Sequence, residues 1–238
     1  LQPLFLGQKE TLWRSFHAAQ LFAYGFQMGL KLATFVLLVF SSMMFAGEFD
    51  RGTIKNLLTR PVTRADIFIA KALTTLLLGL FLYGFVFLSA ALGALGRGEL
   101  GPVWDEGQYV IMRSGQEMLQ HVRKAVLAGI LPFLAAGFLG ILVSTLVESS
   151  GFAVAVTLIL YVFGDVVTGM LGERHQQKVF LYYGPYVLEK LRLFAEGSST
   201  RWNPQVDGGR LDVAVPLAWI AAFLPGAYGV FRSRNITA

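Results

Sequence analysis

The sequence predicts an all-α, polytopic helical membrane protein, and two observations carry that prediction. The first is composition. Of 238 residues, 55% are hydrophobic and 15% charged, and Phe alone occurs 20 times; the mean hydropathy is +0.57. A water-soluble domain usually carries about 25% charge and turns much of its surface to water. The second is that the apolar residues gather into runs. Residues 33–47, 72–96, 125–147 and 213–231 carry no charge, and 149–172 carry only Asp165. A helical span needs about 20 apolar residues to cross roughly 30 Å of hydrocarbon. Core helices of soluble proteins rarely run so long without a charge. The runs therefore predict five spans in one transmembrane domain over 1–238, at about 24–46, 72–96, 126–147, 151–171 and 213–231.

The elements follow in order. Residues 1–20 mix Lys9, Glu10, Trp13, Arg14 and His17 and are expected outside the bilayer, as a short interfacial helix. The first run reaches span length only when extended back through Lys31 to about Leu21. After the second span, residues 97–124 form a polar loop. In it Ser114 and Glu117 have capping-box spacing, so a helix is expected from Ser114 that feeds the third span. That span carries Pro132, a residue that often marks a kink. The polar turn at 148–151 is so short that spans three and four must form an antiparallel hairpin. In the second loop, 172–212, Tyr182, Tyr183, Tyr186, Leu188, Leu191 and Phe194 alternate with Glu189, Lys190 and Arg192. This pattern predicts an amphipathic helix at headgroup level, where aromatic rings are favoured.

Charge and motif content narrow the chemistry. Lys and Arg number 20 against 15 acids, but they form no stripe or arm, so nucleic acid is not an expected partner and anionic lipid headgroups are. Cysteine is absent, which removes disulfides and thiolate ligands. His17, His121 and His175 are far apart, so no metal site is expected. There is no G-x-x-x-x-G-K-[ST] loop, no G-x-S-x-G elbow and no H-E-x-x-H pair, so the chain is expected neither to bind ATP nor to be an enzyme. Two charges remain inside runs: Lys31 towards the outer end of the first, Asp165 two thirds along the fourth. An intramembrane charge is by default a functional hypothesis. Both are candidate pathway or bundle contacts, placed to face each other, and both lie within snorkelling reach of the interface.

The most informative stretch is 48–71, EFDRGTIKNLLTRPVTRADIFIAK. Gly52 breaks the chain after the first span, and Thr53 is suited to cap a short helix. Ile54, Leu57 and Leu58 share one face of that helix, with Lys55 and Asn56 opposite. Pro61 stops it. Thr63 then starts another helix, with Asp66 three residues on as a capping box. The expected product is a short amphipathic helix held near the membrane between two spans. On spacing alone, a solvated turn between helices serves as well.

This stretch resembles the cytoplasmic signature of the type-2 ABC exporter permeases, whose members pair with separate ATPase subunits. The family pattern has a Glu after a span, then Gly-Thr, an apolar helix, Pro, a small hydroxyl residue before Arg, and a Lys entering the next span. Here these are Glu48, Gly52, Thr53, Leu57-Leu58, Pro61, Thr63-Arg64 and Lys71. The tail Phe231-Arg232-Ser233-Arg234-Asn235-Ile236 is also similar to the family's ending, with Asn235 where Asp is common.

The resemblance implies a transmembrane permease of an ATP-driven exporter, multi-pass in the plasma (bacterial inner) membrane. The expected partners are a second permease chain, two copies of an ABC ATPase, membrane lipids and an extracytoplasmic partner at the loops 97–124 and 172–212. ATP and Mg would sit on the partner ATPase, with no cofactor on this chain. The 48–71 region would be cytoplasmic and act as a coupling helix. Ile54, Leu57 and Leu58 would dock it; Arg51, Lys55 and Arg60 would meet an acidic rim; Gly52 and Pro61 would fix its ends. Glu48 is placed to pair with Arg64 or Lys71. Raw Lys/Arg counts do not set this orientation; the motif does. With the C-terminus inside, five spans put residue 1 outside, and a sixth span upstream of Leu1 would restore an inside N-terminus. Two other readings stay open on the residues: an ion-coupled secondary transporter, which would show inverted repeats and broken helices, and a non-transporting membrane anchor or assembly subunit.

Overall fold

A computed structural model describes residues 2–53, 63–96, 103–104, 111–113, 115–195 and 211–234. Helix α1 spans Gln2–Asp50 and α2 spans Arg64–Leu95; strands β1 (Val103–Trp104) and β2 (Ile111–Arg113) pair antiparallel. Then follow α3 (Gly115–Leu146), α4 (Ser150–Met170), α5 (Glu173–Gln176), α6 (Phe180–Ala195) and α7 (Leu211–Ser233). Five stretches are long and apolar enough to cross a membrane: Leu21–Asp50, Arg64–Leu95, Leu119–Leu146, Ser150–Met170 and Leu211–Ser233. Each overlaps one of the five expected spans, and those in α2 and α3 begin well before the expected bounds.

One expectation about a boundary changes. The short interfacial helix expected within 1–20 is not a separate element, because α1 runs unbroken for 49 residues, about 73 Å at 1.5 Å per residue. The sequence explains this: between Pro3, at the tolerated first turn, and Pro61 there is no proline to stop it. The helix expected to feed the third span does so: the two are one helix, α3, whose Pro132 lies inside it. Its expected cap, Ser114, lies outside the described residues. The small β ladder between α2 and α3 carries no hydropathy signal and was not expected.

Helices α1 and α3 form the centre. On α1, Phe22, Phe26, Leu30, Leu37 and Phe45 recur at helical spacing and are all buried. In a membrane, helices associate through close packing and interhelical hydrogen bonds rather than expulsion of water. The contact between α1 and α3 uses both. Gly140 lets α3 approach so closely that a Cβ there would lie 1.9 Å from Ser41 Oγ. One turn on, Ser144 Oγ accepts from the backbone N–H groups of Phe45 at 2.8 Å and Ala46 at 3.0 Å. Helices α2, α4 and α7 surround this pair. Leu77, Phe81, Phe85 and Leu88 on α2, and Phe163 and Met170 on α4, stay exposed, as lipid-facing side chains do.

The helices alternate in direction, so the bundle has two ends. One, the proximal end, gathers the residues around 44–71, 144–150 and 228–234. At the other, distal end, α6 packs against α1, α3 and α4. Its buried face is Phe180, Tyr183, Val187, Leu188 and Leu191, while Tyr182 and Tyr186 stack on each other at 4.7 Å. This is the amphipathic helix expected in the second loop. Burial pushes the Tyr183 hydroxyl up to about 12, so it stays a neutral donor to the Gln177 carbonyl at 2.7 Å.

A candidate coupling site at the proximal end

Helix α1 ends on Gly52, whose φ is +65°. Gly52 N–H bonds the Phe49 carbonyl at 3.1 Å and Thr53 N–H bonds the Glu48 carbonyl at 3.0 Å. This is a Schellman cap with glycine in the left-handed position. Gly52 thus breaks the chain as expected. Thr53, expected to start the next helix, closes α1: its hydroxyl also reaches the Glu48 carbonyl, at 3.4 Å. Among the described residues a Cβ at Gly52 would meet nothing within 4 Å, so the expected cost of Gly52→Ala is that of a left-handed backbone, about 1 kcal/mol. Thermal unfolding in detergent should show that modest loss.

On the far side of 54–62, α2 begins with the expected capping box. Thr63 Oγ1 accepts from Asp66 N–H at 3.2 Å, and Asp66 Oδ2 accepts from Thr63 N–H at 2.9 Å. Both flanks of the 54–62 segment are therefore capped helix ends. Ile54, Lys55, Leu57, Leu58, Arg60 and Pro61 lie outside the described residues, as does the short helix expected over them.

The flanks are tied to every other span. Lys71 Nζ bonds Glu48 Oε1 at 2.6 Å and the Met44 carbonyl at 2.5 Å, joining α2 to α1. The two partners proposed for Glu48 are thereby distinguished: Lys71 takes it. The other oxygen, Oε2, is buried with no hydrogen bond among the described residues. Arg64 Nη1 instead donates to the carbonyls of Arg232 at 2.8 Å and Arg234 at 3.0 Å. A cation at the C-terminal end of α7 suits both its unpaired carbonyls and its dipole. Arg234 closes the ring. It donates to the Thr145 carbonyl at 3.1 Å and to Glu148 Oε1 at 3.0 Å, and stacks over Phe49 at 4.3 Å. Asp50, at the end of α1, accepts from Ser150 Oγ at 2.6 Å and Ser150 N–H at 3.3 Å. It places a carboxylate at the N-terminus of α4. Beneath the ring Phe45, Phe68, Tyr228 and Phe231 pack together, Phe45 and Phe231 at 4.8 Å. Arg51 is exposed.

Asp50, Ser144 and Glu148 were not named as site residues from the sequence, and Arg234 entered only through the similarity of the tail Phe231–Ile236. Lys31 and Asp165 sit far from this ring and line one distal cavity together, with Asp165 in electrostatic reach of Lys31. Among the described residues no group of three His, Cys, Asp or Glu converges as a metal site would require.

Residues 5–164 match the model of the ABC-2 family transporter proteins. The chain belongs to that family. Its five membrane-length helices make it a multi-pass integral membrane protein of that family. This ABC-2 chain is also similar to the uncharacterized protein YhcI of Bacillus subtilis (strain 168), with 24% identity over 205 residues. That match covers 84% of the ABC-2 chain and 63% of YhcI, so the chain spans less than two thirds of its relative's length. The proximal ring mixes both parts of the chain: Glu48, Lys71 and Glu148 fall within the family match, while Arg232 and Arg234 lie beyond it.

Proposed function

We propose that this chain is the permease of an ATP-driven exporter in the plasma (bacterial inner) membrane. In this reading two permease chains work with two copies of an ABC ATPase, which hold ATP and Mg. The proximal end faces the cytoplasm, and residues 48–71 couple it to the ATPase. Ile54, Leu57 and Leu58 form the docking face, and Arg51, Lys55 and Arg60 meet an acidic rim.

The observation that carries the reading is the double anchoring of 48–71. One flank is fixed by the Gly52 cap and the Lys71–Glu48 pair, the other by the Thr63–Asp66 box and Arg64 on α7. A segment held this way cannot be displaced without moving the ends of the spans. A loop that merely linked two helices would need no such ties to α3, α4 and α7.

Co-purification with the ATPase tests it. Leu57→Asp and Leu58→Asp together should weaken retention about tenfold or more, as loss of central apolar anchors does. Undiminished retention of the ATPase by the doubly substituted permease would overturn the docking role.

A further inference from the structure

The proximal ring leaves the distal charges unused. A cavity of about 580 Å³ lies there, bounded by α1, α4, α5 and α6 and lined by Gln27, Lys31, Asp165, Tyr186, Glu189 and Lys190, among others. Glu189 is bonded to Arg192 and the Lys190 ammonium lies 4.5 Å over the Tyr186 ring. Those charges are engaged within α6. Lys31 and Asp165 face the cavity from the spans themselves and feel each other's charge.

Their depth and surroundings are specific. Asp165 lies five residues before the end of α4, about 7.5 Å along the helix, just below the distal interface. On α4 Val162 and Val166 are exposed beside it, at 44% and 55%, and one turn from Lys31 Phe35 is exposed at 41% and packs edge-on against Tyr161 of α4. Two opposite charges therefore stand at the top of an apolar wall shared by α1 and α4. Charges at such a depth need polar company. The complement is an amphiphile whose headgroup carries both signs.

We propose that this cavity binds a zwitterionic phospholipid, its ammonium against Asp165, its phosphate against Lys31, its chains along the wall of Phe35, Val162 and Val166. An anionic headgroup would satisfy Lys31 and leave Asp165 facing like charge. The inference rests on the membrane placement of the spans and not on docking of an ATPase, so the two fail separately.

The test uses the full-length permease in nanodiscs of equimolar phosphatidylethanolamine and phosphatidylglycerol, with retained lipid counted by native mass spectrometry. Phosphatidylethanolamine should be retained in excess. Asp165→Asn and Lys31→Gln should each lower it about tenfold, the scale of one charge-assisted contact. Phe81→Leu, exposed on α2 outside the cavity, should change nothing. The exchange Lys31→Asp with Asp165→Lys keeps both charges and should restore retention, which separates lost binding from lost folding. Equal retention of the two lipids by the wild type, or unchanged retention in Asp165→Asn, would overturn the proposal. Efficient cross-linking of Asp165→Cys between two permease copies would overturn it too, by showing that the cavity is an interface.

Discussion

Gly140→Val is expected to cost about 3 kcal/mol, the upper range for forcing bulk into a packed contact. The reason is backbone proximity. A Cβ at 140 would stand 1.9 Å from Ser41 Oγ, 2.9 Å from Ser41 Cβ and 3.2 Å from Ser42 N. The hydroxyl can rotate away; the Cβ and the main-chain nitrogen cannot. Helix α1 must therefore move off α3. That movement also pulls Phe45 N–H and Ala46 N–H from Ser144 Oγ, so the substitution loses hydrogen bonds as well as packing. Such bonds are each worth about 1 kcal/mol between membrane helices. Thermal unfolding followed by helix content should show a much larger drop for Gly140→Val than for Gly52→Ala, whose added Cβ would meet no described residue within 4 Å.

Lys71→Met should cost about 2 kcal/mol. Removing one partner of a buried ion pair costs about 3–5 kcal/mol because a charge is left uncompensated. Here the Lys71 and Glu48 side chains are 14% and 25% exposed, so screening lowers the figure towards that of a lost charge-assisted hydrogen bond. With Lys71 gone, Glu48 Oε1 loses its donor and Oε2 already has none among the described residues. Adding Glu48→Gln removes the stranded charge and should recover about half the loss. A double-mutant cycle by chemical unfolding would give the coupling directly.

Much of this arrangement was legible in the sequence because it is local. Charge-free runs mark spans by length alone. Gly52 and the Thr63–Asp66 pair act within one helical turn, so spacing reveals them. The Lys71 partner of Glu48 was narrowed to two candidates, and geometry chose between them: Arg64 reaches instead for carbonyls 168 and 170 positions away. What escaped is what joins distant segments. Asp50 meets Ser150 across 100 positions, and Ser144 meets Phe45 across 99. No periodicity reports such contacts. Gly140 is one of 26 glycines, and only the approach of α1 sets it apart. The unbroken α1 escaped for another reason: the polar residues before 20 suggested a boundary, but no helix breaker stands there to enforce one.

The central claim is that the proximal ring transmits motion from the ATPase to the spans. It is tested most directly by spin-label distances between the distal ends of α2 and α4, at positions 96 and 171. These would be measured in the assembled complex with and without a trapped ATP transition-state analogue, beside its ATP turnover. The wild type should change distance on trapping. In Lys71→Met combined with Glu48→Gln, hydrolysis should continue while the distance change shrinks. An undiminished change in that variant would contradict the account and reduce the ring to a structural clasp.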